Sequence, residues 1–230
     1  MPAANGLVTM SDDSFIREVN EEIRQDQAKA LWDRYGPFLI AIAVAIVLAT
    51  AAWVGWEYWT TSRANASGDR FSHALTLAGQ GKTDEALSAL DALEKDGYGA
   101  YPVLARLRTA TLHAAQGNND QAVADFDAVA GDGSVPVAIR DMARLRAAYV
   151  LVDHGSYADV SARVEPLTAD TNALRHSARE ALGLSAWKEG RAADALSLFE
   201  QLASDAQSPR NVRDRATLMA ELIRGSGTGS

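Results

Sequence analysis

From Phe38 to Trp56 the chain reads FLIAIAVAIVLATAAWVGW, nineteen residues without a charge. As a helix this run is about 28 Å long, close to a bilayer core of about 30 Å. Thr50 is its one strongly polar side chain, and a helix lets that hydroxyl bond a carbonyl one turn earlier. Trp32 and Tyr35 precede the run; Trp53, Trp56, Tyr58 and Trp59 close it. Such amphipathic rings favour the headgroup level. The pattern predicts a membrane helix over 37–59. Ala64-Asn65-Ala66 has the small-x-small form of a signal cleavage site. The apolar run, however, exceeds the usual length of about 7–15 residues and follows an acid-rich segment, so an uncleaved anchor is expected. Arg17, Arg24, Lys29 and Arg34 precede the span, against Arg63 and Arg70 just after it. This bias favours a cytoplasmic N-terminus.

Ahead of the span, Ile16, Val19, Ile23, Ala30 and Leu31 recur at roughly helical spacing between charges. They predict an amphipathic cytoplasmic helix over 14–36, broken at Gly36-Pro37. Residues 1–13 read as a disordered leader, with Met10 as a second possible start, and 225–230 as a flexible tail.

After the span the pattern repeats. Gly81, Gly117, Gly155 and Gly190 interrupt helical stretches at spacings of 36, 38 and 35. Seven residues before each glycine stand Ala74, Ala110, Ala148 and Gly183. Five after stand Ala86, Ala122, Val160 and Ala195; nine after, Leu90, Phe126, Val164 and Phe199; twelve after, Leu93, Val129, Leu167 and Leu202. Each unit reads as two helices joined at the glycine, which is expected to take a left-handed turn. Small residues beside the turn let the two backbones approach. One hairpin cannot bury its own apolar faces, but stacked hairpins can. Pro102, Pro136 and Pro209 mark the starts of successive first helices. Pro166 is expected to end or kink the third unit's second helix. Arg210 to Arg224 carries Val212, Ala216, Met219 and Ile223 on one stripe and reads as a closing helix. The fold class expected is all-α: one N-terminal transmembrane helix, then a solenoid of about four hairpins plus a closing helix over 60–224.

Composition narrows the function classes. The 230 residues carry a formal net charge of −8. From Ala64 onward there are 22 acids and 17 bases, and no clustered basic face that would suggest nucleic acid. The chain has no cysteine, which removes disulfides, thiolate metal sites and thiol nucleophiles. Gly81-Lys82-Thr83 lacks the first glycine and preceding strand of a phosphate-binding loop. Ser185-Ala186-Trp187-Lys188 matches an S-x-x-K string without its companion motifs. His73, His113, His154 and His176 show no ligand spacing. Catalytic, cofactor and metal sites are therefore not expected, nor a small-molecule substrate.

The columns resemble the tetratricopeptide repeat, which pairs a small residue at position 8 with alanine at 20 and an aromatic at 24. They depart from it at position 4, where arginine (Arg70, Arg106, Arg144 and Arg179) replaces tryptophan, and at position 11, where Leu77, His113, Leu151 and Ala186 replace tyrosine. In that family the first helices line a concave groove. The resemblance places Phe71, Leu75, Leu107, Leu145, Tyr149, Val152 and Trp187 there as partner-binding positions, against the alternative that they fill the core. The Lys/Asn pattern that clamps a peptide carboxylate in some members is absent. The arginine column is left either facing acids on neighbouring helices or edging the groove. Within the span, Ala41, Ala45 and Ala49 form a small-residue stripe suited to helix packing.

The acidic N-terminal segment, the single span ending in Gly55-Trp56-Glu57-Tyr58-Trp59 and the degenerate repeats together resemble the YfgM family. That resemblance implies a bacterial inner-membrane protein with a periplasmic repeat domain. It also implies association with the SecYEG translocon, cooperation with a periplasmic chaperone such as PpiD, and contact with unfolded clients. The expected function is a non-catalytic, chaperone-like accessory of protein translocation. The alternative is a periplasmic scaffold for cell-division or envelope-assembly complexes.

Overall fold

The computed structural model describes the backbone of residues 9–227, with side chains at Glu21 and from Lys29 onward. Residues 1–8 of the expected leader and 228–230 of the expected tail lie outside the described residues. Every regular element described is helical. Contacts divide the chain into two units, one ending at Ser62 and one beginning at Arg63.

The first unit consists of the earlier part of α1, which runs Thr9–Gly79. The break expected at Gly36-Pro37 does not occur, because Pro37 lies inside α1. A proline normally drives the preceding residue out of the helical region, partly through a clash with that residue's Cβ. Gly36 has no Cβ, which removes that clash. A Cβ there would also lie 3.2 Å from the Trp32 ring. The expected segments 14–36 and 37–59 are thus one helix. The apolar stretch in α1 is long and apolar enough to cross a membrane, and none of it is buried. Thr50 bonds the Ile46 carbonyl at 2.8 Å, as a polar side chain on an apolar helix requires.

The second unit stacks helical hairpins. The end of α1 pairs with α2 (Thr83–Asp96), α3 (Tyr101–Ala115) with α4 (Asn119–Gly131), and α5 (Val137–His154) with α6 (Tyr157–Val164). Next, α7 (Arg175–Lys188) pairs with α8 (Ala192–Ser204), and α9 (Arg210–Gly225) closes the stack. The four expected columns are the core. Each of their sixteen members is buried, with Ala74, Leu90, Leu93, Val160, Val164 and Leu202 fully so. Burying a leucine or phenylalanine contributes about 1.5–3 kcal/mol. The core divides into four clusters joined through shared helices.

Three turns share one geometry. Gly81, Gly117 and Gly190 have φ of 77°, 80° and 77°. The next residue's N–H then reaches back to the first helix: Lys82 to Leu77, Asn118 to His113, Arg191 to Ala186. This is a Schellman closure, which a residue with a Cβ adopts only at a cost. The fourth turn differs. Gly155 is extended (φ −111°), and Ser156 begins α6 with a reciprocal capping box to Asp159. Gly155 is small for another reason: a Cβ would meet Leu151 Cδ2 at 2.7 Å. As its sequence predicts, Pro166 ends α6, and the chain passes through a 3-10 turn, Glu165–Leu167. Leu167 is still delivered to the core.

Candidate interaction surface

The first helices α3, α5, α7 and α9 present one face on which side chains reach from repeat to repeat. Arg146 Nη1 on α5 donates to Thr111 Oγ1 on α3 at 3.3 Å. The Tyr149 hydroxyl lies 3.4 Å from the Ser177 carbonyl and 3.5 Å from Glu180 Oε2 on α7. Arg215 on α9 grips Glu180 with two bonds, Nε to Oε1 at 2.7 Å and Nη2 to Oε2 at 2.9 Å. Glu180 is 7% exposed. A carboxylate at that depth needs a charged, hydrogen-bonded partner. Arg215 supplies it from solvent, and the bond to Glu180 holds the guanidinium above its usual range. Burial, then the Glu180 charge, pushes the Tyr149 hydroxyl up.

The structure divides the residues expected on this face. Leu145 and Val152 are buried in the core between α5, α6 and α7, so these two fill the stack rather than line a groove. Their positions on α5 turn toward α7, which the array packs against it. Phe71, Leu107 and Trp187 are half-buried against core clusters. Leu75 and Tyr149 reach the surface, at 37% and 38% exposure. The sequence reading missed Thr111, Arg146, Glu180 and Arg215. A signal was present: Thr111 to Arg146 and Glu180 to Arg215 are both 35 residues apart, the repeat length itself.

The arginine column faces acids and helix ends. Arg106 Nη1 bonds Asp132 at 2.7 Å, and its Nε lies 3.8 Å from Glu94. Arg144 bonds Asp141 and reaches the Ala130 carbonyl. Arg179 bonds Asp170 and the Thr168 carbonyl. Arg70 is exposed. Where the ordinary repeat sets a tryptophan between helices, Arg144 and Arg179 instead donate to carbonyls at the end of the preceding second helix or its 3-10 extension. Asp132 is one of the acids this network perturbs. Hydrogen bonds from Ser134 first, then Arg106, bring its carboxyl down to about 2.

Ser185 is fully buried with its hydroxyl unpartnered, while Lys188 Nζ donates to the Asp153 and Gly155 carbonyls, so the two are not hydrogen-bonded. His113 pairs with Asp125 at 2.7 Å and His176 with Asp205 at 3.0 Å. Among the described residues no three metal-ligating side chains converge. In the first unit, Ala41, Ala45 and Ala49 are exposed.

A family model for the tetratricopeptide repeat-like domain matches residues 29–220. No curated protein and no solved structure matches the chain. The match covers most of the apolar helix and every hairpin, the buried columns supply the packing that defines such repeats, and arrays of this kind are protein-interaction scaffolds. The chain belongs to the tetratricopeptide repeat-like domain family.

Proposed function

We propose that this protein is a membrane-anchored, non-catalytic scaffold that holds protein partners or unfolded segments on its first-helix face outside the cytoplasm. The observation that carries the reading is the unburied apolar stretch of α1 in a chain whose repeat domain completes its own core. Nineteen charge-free residues flanked by tryptophans are costly in water and suited to lipid. Leu75, Tyr149 and half-buried Trp187 offer apolar and aromatic contact on the repeats. The excess of basic residues before the span supports a cytoplasmic N-terminus and a periplasmic repeat domain.

The layout's likeness to the YfgM family supports a specific setting. In it the protein is an accessory of a SecYEG-like translocon in the bacterial inner membrane, working beside a chaperone such as PpiD. The stripe Ala41, Ala45 and Ala49 is the position at which another membrane helix would approach closely. Photocrosslinkers placed at Ala45 and at Tyr149 in intact cells test this. Adducts with translocon subunits from Ala45, and with chaperone or client chains from Tyr149, are expected. Adducts with division or envelope-assembly proteins instead would replace the translocon reading. A reporter fused after Arg224 that is active only in the cytoplasm would overturn the topology.

A further inference from the structure

We infer that the first-helix face selects acidic extended segments, through Arg108 on α3 and Arg146 on α5. This rests on the proposed interaction surface and names the chemistry of what it takes. Among the described residues, eight arginines of the repeat domain stand in ion pairs with carboxylates. Arg108 and Arg146 do not, although acids outnumber bases in this domain. Among the described residues, the one hydrogen-bond partner of Arg146 is Thr111. The Nε of Arg108 is buried with no hydrogen-bond partner. That enclosed N–H is out of a ligand's reach; the Arg108 Nη groups are neither enclosed nor hydrogen-bonded among the described residues, and they are what an incoming carboxylate would meet.

The placement is repeated, not accidental. Arg108 and Arg146 are 38 residues apart, the spacing of Gly117 and Gly155. They therefore occupy equivalent positions on successive first helices. Thr111 follows Arg108 by three residues, on the same helical face, and it is Thr111 that Arg146 reaches. Arg108 and the hydroxyl that Arg146 reaches thus share one face of α3. Four residues before each arginine stand Leu104 and Met142, both 37% exposed, one turn away on that face. Three residues after Arg146 stands Tyr149. A carboxylate between the two arginines, with apolar side chains on Leu104, Met142 and Tyr149, fits both the charge and the surface. Arg140 also has an unpartnered Nε, but it lies about 120° around α5 from Arg146 at 100° per residue and takes no part.

The test uses the full-length protein in nanodiscs and three fluorescein-labelled peptides of alternating leucine with glutamate, glutamine or lysine. Fluorescence polarisation is expected to show the glutamate peptide binding about tenfold or more tighter than the glutamine peptide, with the lysine peptide weakest. Arg108→Gln with Arg146→Gln should erase that preference while leaving the glutamine peptide's affinity unchanged. Arg146→Gln alone, at an exposed position, should reduce it about threefold to tenfold, and Arg146→Lys should keep part of it. Equal binding of the glutamate and glutamine peptides, both weakened by Tyr149→Ala, overturns the acidic preference and leaves the interaction surface standing. A glutamate preference that survives the double substitution overturns the assignment to these arginines. Binding of no peptide overturns both the preference and the surface.

Discussion

A Cβ built on Gly183 would lie 2.9 Å from Cζ of Phe199, with two more ring atoms at 3.1 and 3.2 Å. The fourth repeat therefore brings α7 and α8 together more closely than an alanine permits. In the second repeat the equivalent pair is Ala110 and Phe126, which coexist in a buried core. Gly183→Ala raises helix propensity by up to about 1 kcal/mol, but overpacking a fixed ring costs about 1–3 kcal/mol. Packing wins because Phe199 is 1% exposed and has nowhere to turn. The expected result is a net loss near 1 kcal/mol, read as a lowered urea midpoint. A raised midpoint would contradict the close approach.

The turn glycines should separate by mechanism. At Gly117, φ of 80° with open space around the missing Cβ makes the backbone the whole problem. Gly117→Ala should cost about 1 kcal/mol, and Gly117→Asn less, since asparagine tolerates that region. At Gly155 the backbone is extended and the obstacle is the Leu151 side chain. There asparagine gives no relief over alanine, and pairing Gly155→Ala with Leu151→Ala should recover part of the loss. Chemical denaturation of the variants distinguishes the two patterns.

Leu145 and Tyr149 lie one turn apart on α5 and should fail differently. Leu145→Ala opens a cavity in the core, expected to cost about 2–4 kcal/mol. Tyr149→Ala should change stability by less than about 1.5 kcal/mol and act on partner capture instead. If Tyr149→Ala leaves crosslinking yield and peptide binding untouched, this surface is not where partners sit.

Removing Arg215 strands a buried carboxylate. Arg215→Met should destabilise by about 1–3 kcal/mol, the cost of an unpaired buried acceptor, with solvent access from the half-exposed side keeping it below a fully enclosed pair. Glu180→Gln with Arg215→Met should be less destabilised than the sum of the single changes. A double-mutant cycle measures the coupling, and strict additivity would mean the two bonds carry no net energy.

Acid should weaken the repeat domain in a defined window. Asp132 and Asp205 are both held below the ordinary carboxylate range, Asp132 by Ser134 and Arg106 and Asp205 by the Gln207 N–H and His176. A carboxyl whose folded value is depressed stabilises the fold above its unfolded value near 3.9, and that contribution is lost as pH falls toward the folded value. For Asp132 the window runs from about pH 4 down to about 2. Ser134→Ala, which removes the largest cause, should narrow it; urea midpoints across pH 2–5 give the comparison.

Much of the fold was legible because the repeat imposes the same demand four times. A column such as Leu93, Val129, Leu167 and Leu202 is visible without coordinates, and every member is buried. The helix starts at Pro102, Pro136 and Pro209 follow from ring geometry alone. At Gly36-Pro37 the helix continues despite the proline's missing N–H, and the glycine before it removes only the Cβ part of the usual clash. The face was legible only in part: position numbers carried over from the repeat sent Leu145 and Val152 outward, whereas local packing between α5 and α7 draws them in. Glu180 escaped notice because a single acid in a helix looks solvated until its partner, 35 residues later, is brought beside it.

The third hairpin has the shortest second helix, eight residues of α6 followed by a 3-10 turn, and it lacks the left-handed closure of its three companions. Its turn leans on the next repeat through Lys188, Glu189 and Arg191. In an array whose energy is summed between nearest neighbours, such a link is where unzipping pauses or begins. Backbone amides of α6 should exchange with solvent ahead of those in α4 and α8, making this joint the hinge at which the two halves of the stack come apart first.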